Sequence, residues 1–561
     1  MIGVREPLPG VVYCPQDRLE AYVAAGNLPT TGIIDELIAS FAANADRPCL
    51  ATADRVMTYA EVDEASDRFA GALIDLGLKP YERVLFQLHN SPEEVIAIIG
   101  CMKAGLIPTC TLPAHREAEI GYIGRHVDAR AHIVQGDEAK CDLIDFATRM
   151  ARDEVPTIRR IISVRGQPTE GVPRLEDLIA DQDPAEAKRK VAEVPRDPYQ
   201  VAIFQLSGGT TGVPKVIPRM QNDYLLNARL TAQTLDYRAD DVMFMQMPII
   251  HNAAMICCLM PMLITGGCYT ISRDMKVESW AEVARAHPPT VVAIIRALVP
   301  RLEGMIELAP GAIDRVRFFW TPDSAKLLRE KYRKPAYNMF GMSEGMNLYC
   351  REGDPDEALD WTVGRPMSPV DEIRLVKPGT LEPAEPGEIG EMQARGPYTL
   401  SGYYNAPERN RDAFTPDGFY KPGDLLETRV IDGTMYYAFA GRTKDVVDRG
   451  AEKINCEEVE HAVMSHPAVA SCAVVGMPDP VLGERVCAYV TLRGGFDKPE
   501  VPEMQEHLQG IGMAKFKWPE RIEAIDDLPT TKIGKLDKAA LRKDITERLA
   551  ADQPEPAGAT K

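Results

Sequence analysis

Residues 207–215 read SGGTTGVPK, a run of small and hydroxyl residues closed by a lysine. Gly208, Gly209 and Gly212 let the backbone approach an anion closely, and Ser207, Thr210 and Thr211 add donors. Lys215 supplies a balancing charge, so a phosphate ligand suits the loop. It is not a Walker A loop, because Val213 and Pro214 separate Gly212 from the lysine, and Val216 stands where a magnesium-binding hydroxyl is required. A plain surface loop rich in turn formers is the simpler reading of such a cluster taken alone. Four further stretches follow in order: FGMSEG with Glu344, GFYKPGDL with Asp424, GRTKD at 441–445, and LPTTKIGKLDKAALR with Lys535. Each has its own plain reading as turn, cap, linker or solvated lysine. The case for a site rests on their joint order and spacing.

The elements that position these residues read as α/β. Helical apolar spacing covers 33–46 and 64–78, with Gly77 as a stop. RVLFQLH (83–89) reads as a strand. SPEEVIAIIGCMKAG (91–105) starts with Ser91 as N-cap and Pro92 at the first helical position. IPTCTL (107–112) is the next strand, and residues 165–197 read as a charge-rich connection. VAIF leads into the glycine loop from a strand. The apolar run at 253–267 predicts a buried helix and then a strand. VVAIIRAL (291–298) and DEIRLV (371–376) are strand-like. From about 388 the pattern turns β-rich. After GRTKDVVDRGAEKI, CEEVEHAVMSHPAV reads as an amphipathic helix, and ASCAVVGMP and ERVCAYVTL read as strands. The expected organisation is a large N-terminal domain over 1–441, a hinge at 442–446, a small α+β domain over 447–546 and a disordered tail over 547–561.

The chain has 561 residues, too many for one ordinary core. Its formal charge of −19 argues against a general nucleic-acid binder while leaving room for a local basic pocket. The N-terminus lacks a basic segment followed by an apolar run, and the longest apolar run is short for a membrane span and holds a proline. Twelve cysteines without C-x-x-C pairs or metal-ligand spacing fit reduced, buried thiols in a cytoplasmic protein.

Taken together, SGGTTGVPKVIPR, NDY (222–224), His251–Asn252, FGMSEG, RGPYTLSGYY (395–404) and RGAEKI (449–454) resemble the adenylate-forming superfamily of acyl-CoA synthetases, luciferases and peptide-synthetase adenylation domains. The wording is most similar to the stand-alone aryl-acid AMP ligases. The resemblance covers about residues 30–545. It implies a large adenylate-forming domain, built of α/β sheets with a β-rich subdomain, followed by a small mobile α+β domain. It also implies a two-step reaction: a carboxylate attacks the α-phosphorus of ATP, and a pantetheine thiol then takes the acyl group. Loop 207–215 would hold phosphates, with Lys215 among the catalytic residues. Gly341, Met342 and Ser343 would line the nucleotide site, and Glu344 would help hold Mg²⁺. Asp424 would accept from the ribose hydroxyls, with Arg442 beside it. Lys535 would stabilise charge on the carboxylate and the bridging oxygen. Lys444 takes the hinge position, and Gly450 and Lys453 would line the thiol path.

For the acid, Asn252 resembles the residue that bonds an ortho-hydroxyl, and His251 would flank the carboxylate. Cys257 stands where the dihydroxybenzoate branch has serine and the salicylate branch cysteine; packing in an apolar run is its plain reading. Met339 adds bulk against a 3-hydroxyl. Ala253 replaces an expected aromatic residue and leaves space for a ring substituent. FFWTPDSAKLL (318–328) lacks the expected Gly-Gly-Ala, so Trp320 and Asp323 are expected to act differently there. The implied activity is salicylate adenylation, with 2,3-dihydroxybenzoate-AMP ligase or a degradative aryl-CoA ligase as alternatives. The acceptor is a separate carrier protein or coenzyme A. No nucleic acid or membrane partner is expected.

Overall fold

The computed structural model describes residues 2–207, 214–443, 445–449, 452–480, 482–511, 513, 515–531 and 536–551. It is an α/β protein whose chain divides into two compact units. One comprises Met1–Ile373, Ala394–Tyr420 and Val430–Tyr436; the other comprises Arg374–Gln393, Lys421–Arg429 and Tyr437–Lys561.

Two sheets organise the first unit. The six-stranded sheet runs Arg160–Val164, Ala129–Gln135, Arg83–Gln87, Ile107–Thr109, Val201–Ser207, Lys215–Met220. Its first five strands are parallel, and Lys215–Met220 closes the edge antiparallel to Val201–Ser207. Parallel neighbours need crossovers, and the helices Pro92–Lys103, Glu117–His126 and Leu143–Asp153 lie between them in the chain. The first of these starts as its sequence requires: Ser91 accepts a hydrogen bond from the Glu94 N–H at 3.1 Å, ahead of Pro92. The nine-stranded sheet has a parallel centre, Ala336–Gly341, Phe318–Thr321, Val291–Ala293, Val242–Phe244, Cys268–Thr270 and Pro48–Ala51. Antiparallel strands flank it: Val56–Thr58 at one end, Asn347–Tyr349 and then Arg365–Pro366 at the other.

The second unit holds the hairpin Val469–Asp479/Gly483–Leu492, with Val446–Arg449, Glu452–Asn455 and Arg521–Ala524 in the same sheet. Alternate residues along a strand face opposite sides. Val474, Val486, Ala488 and Val490 accordingly pack with Val459, Val463 and Leu508, while Ala473, Val475, Cys487 and Tyr489 pack with Leu541 and Ile545. A strand buried on both faces explains why ASCAVV reads as continuously apolar. A four-stranded sheet, Glu372–Val376, Ile389–Arg395, Asp424–Ile431 and Thr434–Arg442, accounts for the β-rich composition after residue 388.

Three regions depart from the sequence reading. The strand expected over 291–298 ends at Ala293 and is followed by a 3₁₀ turn at Arg296–Leu298. The expected connection at 165–197 contains helices Leu175–Asp181 and Pro184–Glu193. They bury only Leu175, Ala187 and Val191, too thin an apolar stripe to stand out among their charges. The C-terminal helix Lys538–Ala551 continues past 547, where the disordered tail was expected to begin, with Leu541 and Ile545 holding it to the core. Residues 552–561 of that tail lie outside the described residues. No helix among the described residues is long and apolar enough to cross a membrane.

Candidate active site

Ser207 and Lys215, which flank the glycine-rich stretch in the sequence, pair antiparallel at the end of strands Val201–Ser207 and Lys215–Met220. Gly208, Gly209, Thr210, Thr211 and Gly212 lie outside the described residues. Ser207 Oγ is buried and has no partner among the described residues. Lys215 Nζ donates to Tyr403 Oη at 3.2 Å and stands 4.9 Å from the centre of that ring. Tyr403 in turn donates to Glu344 Oε1 at 2.7 Å, and Tyr420 reaches the same oxygen at 3.1 Å. The two phenol oxygens are 2.7 Å apart. Burial, reinforced by the Glu344 charge, holds both phenols well above their ordinary pKa, so they remain donors. Glu344 is only 6% exposed. The structure thus joins two predicted residues, Lys215 and Glu344, through a tyrosine that sequence reasoning did not single out.

The turn after strand Ala336–Gly341 carries Met342, Ser343 and Glu344, and it is held by backbone contacts. Gly345 N–H donates to Met342 O at 3.0 Å, and Leu400 N–H donates to Glu344 O at 2.7 Å. Gly345 adopts φ +132°, and a Cβ there would stand 2.0 Å from Tyr398 O, so only glycine fits. Arg219 lies beneath the turn with its side chain fully buried. It donates to Asp223 Oδ1, Ser343 O, Asn227 Oδ1 and Tyr398 O. Its guanidinium thereby ties the turn to Asp223 and Asn227 of the following helix.

Asn252 and Cys257 share one helical run whose geometry is unusual. Met255–Leu259 forms a π-helical turn, closed by Met260 N–H donating to Met255 O. Pro261 has no N–H to offer the Cys257 carbonyl, which instead accepts from Tyr237 Oη at 3.0 Å. Residues five apart diverge on a 3.6-residue helix; the wider turn swings Cys257 back toward the face that carries Asn252. Asn252 is 6% exposed, and its Oδ1 accepts from Tyr224 Oη at 3.1 Å. Cys257 is buried, which pushes its thiol up to about 11 and keeps it neutral. Asn347 Nδ2 approaches Cys257 Sγ at 3.9 Å. A Cβ on Gly341 would stand 2.5 Å from Asn347 Oδ1 and 2.9 Å from Met339 Cε. Cys257, Met339 and Gly341 therefore converge on Asn347, which the sequence did not flag. His251 caps the helix start, its Nδ1 accepting from Ala253 N–H at 3.2 Å.

Trp320 and Asp323 have structural partners here. Trp320 is buried and donates to Tyr237 Oη at 2.9 Å, supporting the phenol that serves the Cys257 carbonyl. Asp323 pairs with Arg296 at 3.0 Å near the surface. In the second unit, Asp424 is 4% exposed at its side chain and stands 2.9 Å from Arg442 Nε, whose side chain is 56% exposed. Lys453 is in strand Glu452–Asn455, paired in register with Asp448. Lys444, Gly450 and Lys535 lie outside the described residues.

Sequence reasoning gave no role to Tyr403, Tyr420, Tyr224 or Asn347. The three tyrosines stood within the quoted RGPYTLSGYY, GFYKPGDL and NDY, so their signal was present but carried no assigned role.

A family model described as AMP-binding enzyme matches residues 38–404, and one described as AMP-binding enzyme C-terminal domain matches 458–535. Triostin synthetase I of Streptomyces triostinicus is 36% identical over 547 residues, covering 95% of this chain and 98% of that protein. The salicyl-AMP ligase / salicyl-S-ArCP synthetase of Mycobacterium tuberculosis is 36% identical over 553 residues, covering 96% of this chain and 95% of that protein. The apo structure of MbtA from Mycobacterium smegmatis matches with a TM-score of 0.70 at 33% identity, over 95% of this chain and 98% of that one.

Proposed function

We propose, from the premise that the chain belongs to the AMP-binding enzyme family, that it is an aryl acid-AMP ligase activating salicylate or a close analogue. A carboxylate oxygen of the acid attacks the α-phosphorus of ATP, the bond to pyrophosphate breaks, and aryl-AMP forms. A pantetheine thiol then attacks the acyl carbon and releases AMP. The observation that carries the reading is the buried Glu344 carboxylate, tied through Tyr403 to Lys215 at the foot of the glycine-rich loop.

The chain's own residues take these roles. Loop residues 207–212 and Lys215 would hold the phosphates, with Gly341, Met342 and Ser343 along the nucleotide. Developing phosphoryl charge is stabilised by preorganised donors and cations rather than by covalent chemistry. Glu344 suits a magnesium ion: both phenols address its Oε1, and Mg²⁺ takes one or two carboxylates together with phosphate and water oxygens. When bound, that ion would neutralise phosphate charge. Asp424, paired with Arg442, suits paired ribose hydroxyls. Lys535 would offset charge on the carboxylate and bridging oxygen. We assign residues 1–441 and 447–546 to two domains hinged at Lys444, with Gly450 and Lys453 along the thiol path.

On the acid side, Asn252 would meet an ortho oxygen and His251 the carboxylate, while Cys257 and Met339 fill the space of a 3-hydroxyl. The salicyl-S-ArCP synthetase among the relatives supports a carrier-protein thiol; coenzyme A is the alternative acceptor. Twelve free cysteines suit a reducing compartment, so we assign the activity to the cytoplasm.

The test is acid-dependent ATP–pyrophosphate exchange with salicylate, 2,3-dihydroxybenzoate, benzoate and larger hydroxyaryl acids. Preferred exchange with salicylate is expected. Exchange confined to larger acids would transfer the specificity to the space at Ala253, and no exchange with any aryl acid would overturn the substrate assignment.

A further inference from the structure

The acid pocket contains a hydrogen-bond chain with a fixed direction. Gln205 Nε2 donates to Tyr224 Oη at 3.3 Å, and Tyr224 Oη donates to Asn252 Oδ1 at 3.1 Å. All three residues are buried, at 1%, 0% and 6% exposure. The chain is anchored at its far end, where Gln205 Nε2 also meets Met255 Sδ at 3.7 Å. A thioether accepts and never donates, so the amide nitrogen of Gln205, rather than its oxygen, faces Met255 and Tyr224. With its oxygen already accepting, the phenol turns its single proton to Asn252. The Arg219 guanidinium stands 5.2 Å from the Tyr224 ring centre and helps to fix the ring. Asn252 is left with its oxygen engaged and its Nδ2 donor available; no partner for Nδ2 occurs among the described residues.

We infer that Tyr224 is a positioning residue that fixes the Asn252 amide with its donor toward the acid, so that the pocket selects aryl acids whose ortho position accepts a hydrogen bond. The inference rests on the assignment of Asn252 to the acid pocket. It separates chemically similar acids. Salicylate qualifies, because its phenolic proton turns to its own carboxylate and leaves the oxygen lone pairs for Asn252. Pyridine-2-carboxylate qualifies through its ring nitrogen. Anthranilate does not, because its conjugated amine is a poor acceptor and turns N–H groups toward a donor. A buried donor left facing a donor costs more than a missing contact. The selection differs from that of Cys257, which acts at another ring position and on size.

The experiment compares kcat/KM for salicylate, anthranilate and benzoate in ATP–pyrophosphate exchange, for the parent protein, Tyr224→Phe and Gln205→Leu. In the parent, salicylate should exceed anthranilate by at least tenfold. Tyr224→Phe frees the Asn252 amide to turn its oxygen toward the acid. The salicylate-to-anthranilate ratio should then fall roughly five- to tenfold, a change expected of one hydrogen bond reversed. The change should appear in the KM of the acids, with the KM of ATP unmoved. Gln205→Leu, which keeps the phenol and removes its donor, should shift the ratio in the same direction by less. A ratio unchanged in both variants, or an equal loss for all three acids with a raised KM for ATP, overturns the inference. Failure of the parent to exchange with any aryl acid would instead strike the proposed function, so the two failures are distinguishable.

Discussion

Two tyrosine-centred chains in the N-terminal unit do opposite work. Beside the glycine-rich stretch, at the proposed phosphate side, Tyr403 lies between a cation and an anion, accepting from Lys215 and donating to Glu344. At the proposed acid side, Tyr224 lies between two neutral amides, accepting from Gln205 and donating to Asn252. The first chain fixes where charges stand; the second fixes which way a neutral group faces. Charge placement governs how strongly the transition state is held, and amide direction governs which acid is held. Mutations in the first chain should therefore appear mainly in kcat, and mutations in the second mainly in the ratio between acids.

The largest effect should come from the anion. Glu344→Gln keeps size and removes charge, and is expected to lower kcat by about 10²- to 10³-fold for every acid alike. The check is exchange kinetics across magnesium concentrations, with circular dichroism to confirm the fold. Tyr403→Phe removes the bridge but neither charge. A hydrogen bond to a charged group contributes about 1.5–3 kcal/mol, so a loss of roughly ten- to hundredfold in kcat follows, again without preference among acids. An altered acid ratio in either variant would break the division between the chains.

On the acid side, Cys257→Ser should raise use of 2,3-dihydroxybenzoate relative to salicylate by about fivefold, the size of one neutral hydrogen bond. An unchanged ratio in the same exchange assay would return Cys257 to core packing. The smallest effect concerns stability. Burial raises the Asp371 carboxyl to about 7, although Tyr398 Oη and the Ser368 N–H both donate to it. The folded state therefore keeps a proton that the unfolded chain releases near its ordinary value of 3.8. The contribution is full below that value, falls as pH rises, and levels off above about 7. Thermal midpoints of Asp371→Asn should decline less than those of the parent between these limits.

Much of the fold was legible because its signals are local. Ser91 and Pro92 announce a helix start, Gly77 a stop, and the apolar runs at 83–89, 107–112 and 201–204 a buried strand each. The strand that leads into the glycine loop was legible for the same reason, whereas its antiparallel partner Lys215–Met220 was not. The two chains were not, because their partners are distant in sequence: Tyr403 meets Glu344 across 59 positions, and Tyr224 meets Asn252 across 28. A buried tyrosine reads as core, and only tertiary packing shows what its hydroxyl serves. Asn252 and Cys257 stand five residues apart, on different faces of an α-helix, and only the π turn ahead of Pro261 brings them round. The helices at 175–193 escaped because their apolar stripe is narrow.

The most direct test of the central claim, that an aryl carboxylate attacks the α-phosphorus of ATP, follows an oxygen atom. Salicylate labelled with ¹⁸O in its carboxylate is turned over with ATP, magnesium and a pantetheine thiol, and the AMP is analysed by mass spectrometry. The account predicts AMP carrying one ¹⁸O together with free pyrophosphate. Unlabelled AMP, or ADP and phosphate in its place, would contradict it.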